Sequence, residues 1–234
     1  MIEESNLKTY LNISPNKFGI YLFDLKNLDY LYKKEIQIKN NFSSVDFNNL
    51  SKFLEDNVFE IEKLIGQFLN NIYLIIKTTE ISEIKIGIKK KNYDEIINKN
   101  FLETLLVDAK DLFKESYQSR KIIHMIVNRY LVDGVPYETF NYNLKGNDFC
   151  VELQFNTISK KNVFEINKIL EKYQIKIIKY IDEDYIGVYF KDNDLKLCEM
   201  AHNIENGCND NEVNLIPKNP KKKGFFEKFF QLFG

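Results

Sequence analysis

Lys121-Ile122-Ile123-His124-Met125-Ile126-Val127-Asn128-Arg129-Tyr130-Leu131-Val132, closed by Asp133-Gly134, is the stretch whose reading decides the fold. Its β-branched and aromatic residues predict a long strand over 121–132, and Asp-Gly is a strong turn signal. Downstream, Phe149, Val151, Leu153 and Phe155 alternate with polar residues and predict another strand over 147–157. Upstream, Leu102, Leu105, Leu106, Ala109, Leu112 and Phe113 share one face of a helix from about Asn100 to Tyr117. A strand from Ile84 to Ile88 precedes that helix. The region 82–181 therefore reads as a strand-helix-strand-strand unit.

Working outward, 18–24 and 29–38 predict a hairpin turning at Lys26-Asn27. An amphipathic helix follows, capped by Ser44 or Asp46, with Phe47, Leu50, Phe53, Leu54, Val58, Ile61, Leu64, Ile65 and Phe68 at helical spacing. It is expected to stop near Asn70-Asn71, where Ile72 to Ile76 begins a buried strand. Beyond the central unit, Ser159 caps a helix through Leu170, strands are expected at 175–181 and 185–190, and a short helix spans about 194–204. Asp182-Glu183-Asp184 reads as a solvated turn. The fold class is mixed α+β. The chain divides into 1–81, the unit 82–181, a return strand and short helix over 182–205, a flexible linker over 206–223 and a tail over 224–234.

Composition narrows the function. Of 234 residues, 44% are hydrophobic and 29% charged, as in an ordinary folded protein. Lys+Arg 33 against Asp+Glu 34 leaves a net charge of -1, and only Arg120 and Arg129 are arginine. A nucleic-acid partner is not expected, since arginine carries bidentate recognition of phosphates and guanines. Cys150, Cys198 and Cys208 are too few for a disulfide scaffold. Met1-Ile2-Glu3-Glu4-Ser5 shows no signal-peptide pattern, and no run reaches the roughly 18 apolar residues of a spanning helix. A cytoplasmic protein is expected.

The tail is the sharpest local signal. At helical spacing Phe225, Phe226, Phe229, Phe230, Leu232 and Phe233 cover an arc of about 160°, opposite Glu227, Lys228 and Gln231. Lys221, Lys222 and Lys223 stand just upstream, where an anionic leaflet attracts each by about 1 kcal/mol. The reading is a helix lying flat in an anionic membrane surface, with a partner's groove or the protein's own core as alternatives. Full burial of a Phe yields roughly 1.5–3 kcal/mol, and ordering each residue costs on the order of 1 kcal/mol. One copy binds reversibly, so self-association would strengthen anchoring through effective concentration.

Catalytic and cofactor signals are sparse. The nine glycines stand singly, with no phosphate-binding pattern, so no cofactor is expected. Cys198, His202 and Cys208 have some metal-ligand character but lack the paired short spacings of a zinc site, so no metal is expected. His124 reads as a satisfied, half-buried histidine and Cys150 as an inward strand residue. No catalytic residue is assigned, and the chain reads as a non-enzyme.

The His124 segment, ending Tyr130-Leu131-Val132-Asp133-Gly134, resembles FtsA, the actin-like bacterial cell-division family. Phe53 to Gly66 and Leu106-Val107-Asp108-Ala109-Lys110 look like the helices preceding two of that family's strands, and Lys145-Gly146 with 149–155 is similar to the next. The tail is similar to that family's membrane-targeting helix. The resemblance implies a partial actin-like first lobe whose 82–180 region contacts other division proteins. It implies a peripheral adaptor organising the divisome on the cytoplasmic face of the inner membrane. The second lobe, the part expected to hold FtsZ, has no counterpart, and Asp24-Leu25-Lys26-Asn27 offers no phosphate cradle. A pilus or secretion assembly adaptor of related fold, marked by a partner-peptide groove instead of a lipid-seeking tail, and a degenerate actin-like ATPase that keeps nucleotide binding by another route are the alternatives.

Sedimentation with anionic liposomes checks the tail: the full chain should pellet and a chain ending at Asn219 should stay in solution. Equal pelleting of both contradicts the membrane reading.

Overall fold

The strand at the centre of the first sheet is one that alternation does not announce. β1 (Leu7–Ser14) carries Lys8, Thr9, Asn12 and Ser14 among its eight residues. In the computed structural model, which describes residues 6–38, 45–140 and 144–213, it lies between β2 (Lys17–Asp24) and β4 (Asn71–Ile76). With β3 (Asp29–Gln37) and β9 (Lys176–Asp182) the order is β3-β2-β1-β4-β9. β1 is antiparallel to β2 but parallel to β4, and β4 is parallel to β9.

Helices cover both faces of this sheet, which is why its inner strands need no polar side. Leu11 and Ile13 of β1 join one core with α1 (Phe47–Ile65) and α3 (Lys160–Glu171). Tyr10, one residue out of phase, packs with α4 (Glu183–Tyr189) and α5 (Leu197–Glu205) on the other. The Asp46 side chain accepts from the Asn49 N–H and caps α1. Gly66, at φ 73, ends that helix before the expected stop at Asn70-Asn71. Phe68 thus lies beyond the helix and is 79% exposed.

After β4 the chain leaves to build a second, wholly antiparallel sheet. Its parts are β5 (Ser82–Ile96), α2 (Lys99–Ser116), β6 (Arg120–Val132), β7 (Val135–Tyr137) and β8 (Lys145–Ser159), with strand order β5-β8-β6-β7. Asp133 and Gly134 have φ 49 and 82, the positive values that a two-residue hairpin of this hand requires. One face is covered by α2, where Phe113 stacks on Phe155 with ring centroids 4.8 Å apart. The Ser159 hydroxyl then accepts from the Asn162 N–H, starting α3, which returns the chain to β9 beside β4. The second sheet is an insertion between two neighbouring parallel strands.

Four expectations are corrected. Residues 185–190 are not a strand: the Asp182 side chain accepts from the Asp184 and Tyr185 N–H groups, and Glu183 and Asp184 occupy the first turn of α4, where acids are favoured. Asp182 is consequently buried rather than part of a solvated turn. β5 extends well past Ile88, to Ile96, through a bulge where Tyr93 and Asp94 adopt positive φ and the register with β8 shifts. The linker expected to begin at 206 starts with a fixed segment, since Gly207, Cys208 and residues 209–213 are held by hydrogen bonds.

Candidate functional site

His124 lies fully inside the molecule, on β6 where that strand meets the end of β9. Its Nε2 accepts the Asp182 backbone N–H at 3.0 Å, which leaves the ring proton on Nδ1. Nδ1 donates to Glu212 at 2.8 Å. Tyr185 of α4 donates to the other Glu212 oxygen at 3.1 Å and receives a hydrogen bond from Asn209 at 2.7 Å. Asn156 of β8 donates to Asp182 at 2.9 Å. The first sheet, the second sheet and the segment after α5 thus meet in one buried polar network.

The charges of this network are set by those bonds. Burial alone would push Glu212 up; hydrogen bonds from His124 and Tyr185, with Lys179 at 4.0 Å, outweigh it and hold the carboxyl below its usual range. Burial pushes Asp182 up, against the hydrogen bonds from Asn156 and two backbone N–H groups. Sequence reasoning found His124 but not Glu212, which sits 88 positions away in a stretch read as linker.

A groove opens where α2, the start of β6 and α3 converge. Its volume is about 600 Å³, and Phe164, Ile122 and Val163 supply its apolar surface over a floor that includes the buried Phe113. Phe164 is 63% exposed although it stands on an amphipathic helix. Five cations border this surface: Lys110, Lys114, Arg120, Lys121 and Lys160. Lys114 pairs with Asp111; among the described residues the other four form no ion pair. Arg120 spends its donors on the Glu80 and Thr157 carbonyls and the Thr157 hydroxyl, locking the entry to the second sheet. Lys121 stands 3.9 Å over the Tyr180 ring, and burial lowers its pKa. Burial and the neighbouring Lys114 lower that of Lys110. Depressions of similar volume elsewhere, between β3 and α1 and below β1 and β4, lack this one-signed rim.

The carboxyl ends of β1, β4 and β9 are where an open α/β sheet commonly receives a ligand. Here the β1–β2 turn is Pro15-Asn16, and Pro15 has no N–H to offer a phosphate. Glu183 accepts from Asn12 at 2.7 Å and Asp184 pairs with Lys77, so two carboxylates stand at this end. These side-chain contacts offer no run of backbone N–H groups to a phosphate. The Asp24 examined in sequence for that role instead closes the β2–β3 turn, accepting from Lys26 and Asn27.

The residues weighed as metal ligands do not converge. Cys198 is buried among the side chains packed under α5, His202 faces Lys8 and Asn206, and Cys208 is exposed. Phe225, Phe226, Phe229, Phe230, Leu232, Phe233, Lys221, Lys222 and Lys223 lie outside the described residues. No helix among the described residues is long and apolar enough to cross a membrane.

No family model matches the chain. A stretch of 131 residues, 56% of the chain, is 28% identical to a MATH and LRR domain-containing protein of Plasmodium falciparum, of which it spans 1%. Among solved structures, the chain is similar to the PilM-PilN type IV pilus biogenesis complex, with TM-score 0.49 and 9% identity over 78% of this chain and 49% of that one. It is similar to the cytoplasmic domain of EpsL, an inner membrane component of the type II secretion system of Vibrio cholerae, with TM-score 0.39 and 5% identity over 76% and 59%. A Bacteroides thetaiotaomicron protein with actin-like ATPase fold and unknown function gives TM-score 0.36 and 13% identity over 82% and 60%. The chain spans about half to three fifths of these structures. Among the described residues, two sheets and five helices make a mixed α+β arrangement.

The buried network fixes a pH dependence. Glu212 has a lowered pKa when folded, so its stabilisation is complete above the unfolded glutamate value and is lost as pH falls through the folded one. Asp182, shifted upward, contributes with the opposite sign. Glu212→Gln should cost about 1–3 kcal/mol near neutral pH, and its gap to wild type should narrow below about pH 4. Urea unfolding at both pH values reads this; a gap that stays constant contradicts the assignment.

Proposed function

We propose that this chain is a non-catalytic assembly adaptor that captures an acidic, amphipathic segment of a partner protein while its tail rests on an anionic membrane surface. The groove between α2, β6 and α3 carries the reading. Apolar side chains left exposed at a junction between two packed units mark an interaction site more often than a solvated face. Four cations without a carboxylate partner among the described residues select for negative charge around that apolar surface. A partner segment with apolar residues at helical spacing and Asp or Glu between them satisfies both. The lysine-flanked tail of this chain does not, because Lys221, Lys222 and Lys223 would face the groove's own lysines.

Such a groove is the feature expected of a pilus or secretion assembly adaptor, and that is the preferred class. The residue types at the carboxyl ends of β1, β4 and β9 support a role without nucleotide turnover. Recruitment to the cell-division machinery is the second reading, favoured by the His124-to-Gly134 segment and the tail sequence. Localisation on the cytoplasmic face of the inner membrane belongs to both readings.

Fluorescence anisotropy with labelled amphipathic helical peptides tests the groove. An acidic peptide should bind with an affinity that falls as salt rises, and a basic peptide of equal hydrophobicity should not bind. Phe164→Asp, an exposed change of little consequence for stability, should weaken binding at least tenfold, as should Lys121→Glu. Equal affinity for both peptides, or wild-type affinity in both variants, contradicts the proposal.

A further inference from the structure

Two local irregularities turn apolar side chains into one depression. α1 stops at Gly66, so Phe68 lies beyond the helix and is 79% exposed. In β9, Ile177 is opposite Ile72 and Lys179 opposite Tyr73, which leaves Ile178 as a bulge residue, 53% exposed. Together with Leu64, 56% exposed at the end of α1, they line a depression of about 610 Å³ below β1 and β4. Large apolar side chains gathered on one exposed surface mark a contact site. Among the described residues lining it, Lys8 is the charged one, and Glu205 holds it at 2.7 Å.

The body leads its own chain to this surface. The described residues end at Val213, and Glu212 stands 4.0 Å from Lys179, the neighbour of Ile178. From Val213 to Lys221 an extended chain spans up to about 27 Å, more than that contact leaves between the Glu212 and Ile178 backbones. Charge agrees with this placement. Asp56 and Glu60 precede Leu64 on α1 at four-residue spacing, in one exposed row, as Lys221, Lys222 and Lys223 precede the apolar face of the tail. A tail helix running beside α1 in the same direction sets its phenylalanines on Phe68, Leu64 and Ile178 and its lysines against those carboxylates. Lys63 shares Glu60 at 3.1 Å, so the electrostatic part is modest.

We infer that this depression is the seat of residues 225–233 of the same chain, so that an anionic membrane has to draw the tail off the body. The competition with lipid rests on the reading of the tail as lipid-seeking; the seat does not. A tether of this length supplies an effective concentration on the order of 1 mM. A seat with a dissociation constant of about 0.1 mM would then hold roughly nine tails in ten and weaken membrane binding about tenfold. The tail of a second copy has no such advantage at ordinary protein concentrations, which makes the chain's own tail the occupant.

Benzoylphenylalanine in place of Phe229 of the full chain, irradiated without lipid, tests the seat. The expected product is a monomer cross-linked to residues 64–73 or 178, mapped by mass spectrometry. Phe68→Asp, at an exposed position, should suppress that link and raise the affinity for vesicles of phosphatidylglycerol and phosphatidylcholine at least threefold. No link in this region, a link found only in dimers, or a link that Phe68→Asp leaves intact overturns the seat. Loss of the link in Phe68→Asp with unchanged vesicle affinity overturns the competition. If neither chain binds vesicles while the link forms, the seat stands and the lipid-seeking reading of the tail fails.

Discussion

A neutral imidazole sealed from water must have both ring nitrogens satisfied, and at His124 that requirement ties three chain segments to one point. The Asp182 N–H belongs to β9 of the first sheet, His124 to β6 of the second, and Glu212 to the segment beyond α5. Remove any of the three and a buried polar group loses its partner, at a cost larger than the bond itself contributes. β6 follows directly on α2 and β8 leads directly into α3, so the paired strands β6 and β8 carry both helices. The groove is the space left between them. Arg120 reinforces the arrangement by bonding to the Glu80 and Thr157 carbonyls where the second sheet begins and ends.

The groove and the carboxyl ends of the parallel strands are chemical opposites. One presents apolar side chains amid cations, the other carboxylates beside a proline turn. The first suits a negatively charged amphipathic guest; the second offers no run of backbone N–H groups to a phosphate. The proposed protein contact rests on that difference in side chains. In the proposed role the groove takes a protein segment and the tail sequence a lipid surface.

Most elements were legible where local chemistry and burial agree. Asp46 and Ser159 cap helices as their residue types dictate, and Asp133-Gly134 makes the turn its composition announces. β1 was not legible, because Lys8 and Asn12 are satisfied by Glu205 and Glu183, residues more than 170 positions away. Residues 185–190 read as a strand because Tyr185, Ile186, Val188, Tyr189 and Phe190 are apolar throughout; the cap at Asp182 decides otherwise. The groove could not be read at all. Phe113 and Val163 fall on correctly assigned helices, but which cations gather around them depends on how those helices meet. Glu212 was hidden for a simpler reason: a polar, Asn-rich stretch gives no sign that an open strand edge will hold it.

The most direct measurement is hydrogen exchange on the full chain with and without an acidic amphipathic peptide. Slowed exchange confined to the last turns of α2, the first residues of β6 and the first turns of α3 is the predicted result. Protection that instead gathers at the carboxyl ends of β1, β4 and β9 on adding ATP and magnesium, with none at the groove, would contradict the assignment of this protein as an adaptor.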